Sequence, residues 1–305
     1  MLLLAGSLYA QPSPPPDRSL TLTATVTDPS GNYVMGLPAE AFTLISEKRT
    51  QPSHLNPTDE PMSIGILVDT SASMQEPGIR EIASPKPLLA AVRHYLDLSN
   101  PNNEYFVMTF DKDTQMLVDW QKGKTLPDVE IGPPRDKHLT TLYDACFAAL
   151  DKFKEAHYSK RAIVLFSDGL DGGSKTQFTE IRRRLEGTDV LLYVVAPTIH
   201  YMVSSDVKSL LRDAINRDIQ KVLGEMVQIT GGMAYFPETR GELGEAAERI
   251  AIEMRHQYRL TFPLATSALP AKKPRQIKLE VTAPPNALGK SMKLRLRTRR
   301  DLSAL

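Results

Sequence analysis

The chain has 305 residues, of which 41% are hydrophobic and 24% are charged, a composition typical of a globular protein. Its formal net charge of +1 gives no reason to expect nucleic-acid binding. A single cysteine, Cys146, excludes an intrachain disulfide. Because Cys146 stands in an apolar helical pattern, we expect it to be buried rather than reactive.

The first ten residues, MLLLAGSLYA, are apolar and precede a proline-rich stretch. They resemble the latter part of a secretory signal peptide that lacks its basic beginning. They fall short of the roughly 20 residues that a membrane-spanning helix needs, and no other segment is long and apolar enough. We therefore expect an exported protein without a stable membrane span, in the periplasm, on the cell surface or secreted. Residues 1–17 would be a signal-like segment and linker; a plain disordered N-terminus is the alternative.

The next region, residues 18–60, has the patterns of two strands. Residues 20–27 alternate apolar and hydroxyl side chains, which is typical of a half-buried strand. A turn sequence follows at 28–32, and residues 42–46 predict a second strand.

The middle region, residues 61–258, alternates predicted strands with predicted helices. The strands are expected at residues 64–69, 105–110, 116–120, 162–167, 190–195 and 233–236. The helices are expected at residues 88–98, 142–153, 178–185, 207–229 and 242–257. This alternation predicts an α/β fold with a doubly wound, mostly parallel sheet of six strands. The short link between residues 110 and 116 predicts one antiparallel edge strand.

The last region, residues 259–305, returns to an alternation of period two. Residues 277–282 and 292–297 each predict an amphipathic strand. Neither terminal region has enough strands for a stable sheet of its own. We therefore expect the two regions to pair, so that the α/β domain is inserted into a small β-sandwich.

Oxygen-bearing side chains follow two of the predicted buried strands. Asp69, Ser71 and Ser73 come directly after the apolar run 64–68, and Asp168 ends the apolar run that begins at 161. Thr140 precedes a predicted helix, with a hydroxyl group where a helix cap is expected. In an open parallel sheet, ligands bind at the carboxyl ends of the strands. Oxygen ligands suit a hard divalent cation.

The segments DTSAS at 69–73, T at 140 followed by TLYDA, and FSDG at 166–169 resemble a metal-ion-dependent adhesion site. That site is a feature of von Willebrand factor type A domains, and the resemblance covers the whole middle region. The stretches at 26–32, 36–42 and 257–262 resemble the flanks of a related domain in bacterial exported proteins.

The resemblance implies a non-enzymatic protein that binds another protein through a bound divalent cation. Ser71 and Ser73 would bind the metal directly, and Asp69 and Asp168 directly or through waters. Thr140 would bind it in a ligand-competent state. The expected metal is Mg²⁺, with Mn²⁺ or Ca²⁺ as substitutes, and an Asp or Glu of the partner would take its open position.

Several positions near this set have simpler interpretations. Family members often place two glycines before the threonine, where this chain has His138 and Leu139. His138 is an exposed loop residue or a contact for an acidic partner. Asp111 and Asp113 are expected in a solvated turn. Asp144 is expected to stabilise a helix N-terminus.

Two other functions are compatible with parts of this pattern. A haloacid-dehalogenase-type phosphotransferase also places an Asp after the first buried strand. It needs a second carboxylate two residues later, where this chain has Ser71, which cannot act as the acid. A structural scaffold with an inert α/β insert makes no use of the oxygen set. The sequence leaves the oligomeric state open.

Overall fold

A computed structural model of the chain describes residues 19–45, 49–56, 58–76, 79–136, 139–198, 206–263, 278–284 and 292–299. In the helix that begins at residue 206, side chains are described from residue 213 onward. The signal-like segment at 1–17 and His138 lie outside these ranges.

The described residues contain thirteen strands and six α-helices. The strands are β1 (Ser19–Thr27), β2 (Phe42–Ile45), β3 (Arg49–Thr50), β4 (His54–Leu55), β5 (Ser63–Asp69), β6 (Glu104–Phe110), β7 (Thr114–Lys122), β8 (Arg161–Phe166), β9 (Leu191–Val195), β10 (Ala234–Tyr235), β11 (Tyr258–Pro263), β12 (Lys278–Val281) and β13 (Arg295–Arg297). The helices are α1 (Arg80–Ala83), α2 (Pro85–Leu98), α3 (Leu142–Lys152), α4 (Phe178–Glu186), α5 (Asp206–Thr230) and α6 (Arg240–Arg255).

Six strands form the central sheet, in the order β10-β9-β8-β5-β6-β7. All neighbouring pairs are parallel except β6 and β7, which are antiparallel. One face packs against α2 and α6, and the other against α3, α4 and α5. The predicted α/β fold, with six strands and one antiparallel edge strand, is therefore confirmed. No helix within the described ranges has a stretch long and apolar enough to cross a membrane.

The continuous apolar run of β5 explains its central position. All seven of its residues are buried, as expected for a strand covered on both faces. Gly65 interrupts the run because a Cβ atom there would lie 2.5 Å from Cζ of Phe106 on the neighbouring strand. Cys146 of α3 is buried as expected, and burial raises the pKa of its thiol to about 12.

The terminal segments pair with each other in two small sheets, as the alternation predicted. One sheet has the order β13-β1-β11-β4 and the other the order β12-β2-β3. Strand β1 runs antiparallel to both β11 and β13, and β2 runs antiparallel to β12. Side chains of both sheets, including Leu22, Phe42 and Leu260, meet in one apolar cluster. The two segments therefore share a core that neither could form alone.

Candidate metal centre

The loop after β5 gathers three of the predicted ligands. Asp69 is 1% exposed, and its Oδ1 accepts a hydrogen bond from the backbone N–H of Ser71 at 2.9 Å. The hydroxyl oxygens of Ser71 and Ser73 lie 2.9 Å apart. A short 3-10 helix, Ala72–Gln75, follows and turns the chain back over the edge of the sheet.

The neighbouring strand β8 brings Asp168 to the same edge. Ser167 donates its hydroxyl to Oδ2 of Asp69 at 2.6 Å, which joins the ends of the two strands. Oδ1 of Asp168 accepts the backbone N–H of Leu170 at 3.0 Å. Its Oδ2 atom is buried and has no hydrogen-bond partner in the described part of the chain. The structure thus leaves one buried carboxylate oxygen unsatisfied beside the Asp69 loop.

Burial governs the charge of both carboxylates. Burial raises the pKa of Asp69, and the nearby charge of Asp168 raises it further. Burial also raises the pKa of Asp168, against hydrogen bonding from Ser73 and the backbone. Two adjacent buried carboxylates are unfavourable without a compensating positive charge. The donor set therefore fits a divalent cation.

The site is poor in carboxylates. Over the residues described, no group of three or more His, Cys, Asp or Glu side chains could hold a metal ion. A cation bound here would depend on hydroxyl oxygens and water as well as on Asp69 and Asp168. Such a set resembles the oxygen coordination that Mg²⁺ takes in proteins, where it keeps several waters.

Thr140 lies in a third loop, which is tied to the residue that follows β6 and to the loop that follows Asp168. Its carbonyl oxygen accepts the backbone N–H groups of Gly172 and Gly173 at 3.1 and 2.9 Å. Thr141 donates its backbone N–H and its hydroxyl to the carbonyl oxygen of Asp111, at 2.8 and 3.0 Å. The N-cap residue of α3 is therefore Thr141, and its hydroxyl makes no capping bond. Among the described contacts, none joins the Thr140 side chain to the other four predicted ligands.

Asp111 is not in a solvated turn, contrary to the expectation from sequence. Its side chain is 1% exposed and forms an ion pair with Arg135. The backbone N–H and Nε of Arg135 donate to Oδ2 of Asp111 at 2.9 and 3.1 Å. Burial acts to raise the pKa of Asp111, but these hydrogen bonds hold it below its usual range. Asp113 is 56% exposed and pairs with the same arginine.

Asp144 connects α3 to the loop that follows Asp168. Its carboxylate oxygens accept the backbone N–H groups of Lys175 and Thr176, both at 2.9 Å. Ser174 in turn accepts the backbone N–H of Asp144 at 3.1 Å. Asp144 lies in the first turn of α3, as expected, and Ser174 and Asp171 of the facing loop accept the backbone N–H of Tyr143 in the same turn. The turn sequence DGGS at 171–174 was the available signal for these two residues.

Helix α5 rises beside the metal loops. Gly169 has a φ of +83°, and a Cβ atom there would lie 2.6 Å from Cγ2 of Ile219. At its other end α5 meets the start of β9, where Thr230 accepts the N–H of Leu192. The 25-residue helix begins 13 residues before Ile219, and Ile215, in that first part of the helix, is 39% exposed.

Comparison with known proteins identifies part of the chain. Residues 64–170 match the family model of the von Willebrand factor type A domain. No curated protein matches.

Three solved structures illustrate the similar folds, each with its identity, coverage and TM-score. An aerotolerance-related membrane protein from Bacteroides fragilis is 17% identical, covers 63% of this chain and 98% of its own, and has a TM-score of 0.44. A von Willebrand factor type A protein from Catenulispora acidiphila is 9% identical. Its alignment covers 96% of this chain and 76% of its own length, with a TM-score of 0.49. Proximal thread matrix protein 1 from the mussel byssus, solved with a zinc-occupied MIDAS motif, is 11% identical. Its alignment covers 67% of this chain and 48% of its own length, with a TM-score of 0.44.

Proposed function

Since this chain carries a von Willebrand factor type A domain at residues 64–170, we propose that it is a cation-dependent, non-enzymatic protein-binding module. A divalent cation, Mg²⁺ in the first instance and Mn²⁺ or Ca²⁺ as substitutes, would bind at the edge of the sheet. Its ligands would be Asp69, Ser71, Ser73, Thr140 and Asp168. A partner protein would supply an Asp or Glu carboxylate.

The unpartnered Oδ2 of Asp168 is the observation that supports this proposal most. A buried carboxylate oxygen without a partner is costly, and the cost grows when a second carboxylate lies beside it. A cation next to Asp69 and Asp168 removes both penalties at once. The serine hydroxyls 2.9 Å apart add neutral oxygen ligands, so two carboxylates balance the divalent charge and a coordination position stays open for a partner.

That open position determines the kind of partner. A divalent cation with two carboxylates as its only charged ligands still attracts an anionic oxygen. A cavity of about 420 Å³ adjoins the loop at Thr70, and apolar Leu117 and Ile131 help to line it. A partner residue that flanks the acid could enter this cavity. The first part of α5, with the exposed Ile215, offers a further contact surface.

The proposal excludes phosphoryl transfer of the haloacid-dehalogenase type because Ser71 stands where the acid would be required. It also includes export, which the signal-like residues 1–17 support.

Titration calorimetry with Mg²⁺ and Mn²⁺ tests the cation site. We expect wild-type protein to bind one divalent cation, and Asp69→Asn and Asp168→Asn to lose that binding while remaining folded. The matched control is Asp113→Asn, an exposed carboxylate at the same edge, which should bind as wild type does. Absence of binding at millimolar concentration, or equal binding by all four proteins, would contradict the proposal.

The partner step needs a separate measurement. Immobilised protein is incubated with extract in Mg²⁺, and captured proteins are released with EDTA. We expect Thr140→Ala to lower capture much more than it lowers Mn²⁺ affinity, because Thr140 would bind directly only in the ligand-competent state. If the captured proteins stay bound in EDTA, partner binding does not depend on the metal, and the proposal is contradicted.

A further inference from the structure

A cavity lies at the opposite end of the central sheet, where the α/β domain meets the small sheets. It encloses about 40 Å³. A bound water needs roughly 10–15 Å³ by this measure, so the space suits a few waters or one small ion. Its lining comes from the starts of β8 and β9, the end of α5, and strands β1 and β11. The polar lining residues are Thr21, Thr23, Ser159, Lys160, Arg161, Asp189, Thr230, Arg259 and Arg299.

Positive charge predominates in this lining. Three arginines and a lysine face a single carboxylate, that of Asp189. Asp189 is 55% exposed and lies 3.9 Å from Arg161, so water largely screens it. The ammonium group of Lys160 donates to the carbonyl oxygen of Met254 at 2.6 Å, towards α6. Glu60, which is not part of the lining, pairs with Arg259 at 3.2 Å, so four cationic side chains meet two carboxylates around the cavity.

Two of these arginines keep hydrogen-bonding capacity. Arg259 makes its described contacts through Nη1 alone, to Glu60 at 3.2 Å and to Ser159 at 2.8 Å. Arg161 donates Nε to the carbonyl oxygen of Tyr158 at 3.2 Å. In the described part of the chain, the Nη2 groups of both arginines donate no hydrogen bond to a protein acceptor. Arg299 is 8% exposed and donates to two backbone carbonyl oxygens.

We propose that this cavity binds a small inorganic oxyanion, such as phosphate or sulfate, between the α/β domain and the small sheets. Guanidinium groups bind tetrahedral oxyanions through paired N–H donors, and threonine and serine hydroxyls add neutral donors. Thr21 and Thr23 project from the same side of β1 into this lining. Bound there, the anion contacts β1, β8 and β11 together and stabilises their junction.

The small volume of about 40 Å³ favours the free ion over a phosphate ester, whose substituent would have to lie outside the cavity. Inorganic phosphate and glycerol 3-phosphate offer the same charged group, so comparison of the two separates a free oxyanion from the headgroup of a larger molecule.

Calorimetric titration of the full chain with sodium phosphate tests the site, at constant ionic strength and in EDTA to keep divalent metals out. We expect one phosphate per chain, with Arg161→Gln at least ~10-fold weaker. The matched control is Arg93→Gln, an exposed arginine that lies 4.0 Å from an exposed aspartate; it should bind as wild type does. Arg161→Lys keeps the charge and should retain part of the affinity.

Thermal unfolding gives a second measurement that does not depend on the heat of binding. Sulfate and phosphate stabilise most proteins by exclusion from the surface, so the decisive quantity is the difference between variants. We expect phosphate to raise the Tm of wild type and Arg93→Gln more than that of Arg161→Gln. Equal shifts in all three proteins, or equal affinity for glycerol 3-phosphate, would overturn the inference. Asp69→Asn should bind phosphate normally, which makes this test independent of the proposed cation site.

Discussion

Glu253 of α6 and Arg297 of β13 form an ion pair between the α/β domain and the C-terminal segment. The glutamate side chain is 3% exposed and the arginine side chain 25%. Thr25 of β1 donates its hydroxyl to Oε1 of Glu253 at 3.2 Å, and the Tyr193 hydroxyl donates to the same oxygen. One buried carboxylate therefore holds the first strand, the central sheet and a late strand together.

Loss of this carboxylate should destabilise the protein strongly. We expect Glu253→Gln to lower the free energy of unfolding by about 3–5 kcal/mol, because it leaves Arg297 as an unpaired buried charge. Urea denaturation measures the change. The control is Glu245→Gln, an exposed glutamate of the same helix (63% exposed side chain), whose effect should stay within about 0.5 kcal/mol. A loss below about 1 kcal/mol in Glu253→Gln would show that the pair is not structurally important.

Arg135 should control the loop that carries Thr140. Arg135→Gln frees Asp111, whose carbonyl oxygen holds the backbone N–H of Thr141. We expect faster amide hydrogen exchange at Thr141 and a stability loss of about 1–3 kcal/mol from the unsatisfied carboxylate. Lys112→Gln, in the same turn, should change neither quantity. Unchanged exchange in Arg135→Gln would mean that the loop is held by Gly172 and Gly173 alone.

The carboxylate pair should make the stability of the metal-free protein depend on pH. Burial raises the pKa of both Asp69 and Asp168 above the ordinary value of about 4. The native state then holds protons that the unfolded chain has released, so the free energy of unfolding falls as pH rises from about 4 through the raised pKa. Asp69→Asn should be more stable relative to wild type at pH 7.5 than at pH 4.5, measured by urea unfolding in EDTA. A stability difference that is the same at both pH values would contradict the raised pKa.

Added Mg²⁺ extends the same prediction. It should stabilise wild type at pH 7.5 and have little effect at pH 4.5, where protons compete for the carboxylates. Asp69→Asn, measured alongside, should respond at neither pH. Equal stabilisation of both proteins would indicate a metal site elsewhere.

Gly169 should be required for the packing of α5 against the metal loop. Its φ is +83°, and an added Cβ would lie 2.6 Å from Ile219 and 2.7 Å from Leu223. We expect Gly169→Ala to cost about 2–5 kcal/mol, from backbone strain and overpacking together. Gly36 has a φ of +74° with no atom within 4 Å of an added Cβ, so Gly36→Ala isolates the strain, about 1–2 kcal/mol. Equal losses in the two variants, by urea denaturation, would argue that α5 does not press on Gly169.

Much of the fold could be predicted from local patterns. The continuous burial of β5 and the period-two alternation of β1 each follow from which faces are covered. Three residues separate the observed strand Thr114–Lys122 from the end of β6, as expected for the antiparallel edge pair. The proposed ligand residues were also identifiable, since four of them follow apolar runs at strand ends and Thr140 precedes a predicted helix.

The contacts that support the candidate site could not be predicted in the same way. Asp111 looked like a turn residue because its partner, Arg135, stands 24 positions later in a loop without periodic pattern. Asp144 lies in the first helical turn as expected, but its bonds to Lys175 and Thr176, more than 30 positions away, had no signal in the sequence. Such pairs carry no local signature, because side-chain hydrogen bonding depends on where two distant segments meet.

The sequence alone determined the alternation of strands and helices and the set of oxygen-bearing side chains at the strand ends. Backbone geometry and hydrophobic period depend on residues that are close together in the chain, so both can be predicted from the sequence. Only the tertiary structure decided that Asp168 keeps a buried oxygen without a partner, that Glu253 meets Arg297, and that three arginines converge on one cavity. Burial and charge compensation are properties of the packed molecule, since they depend on which distant segments exclude water from a site.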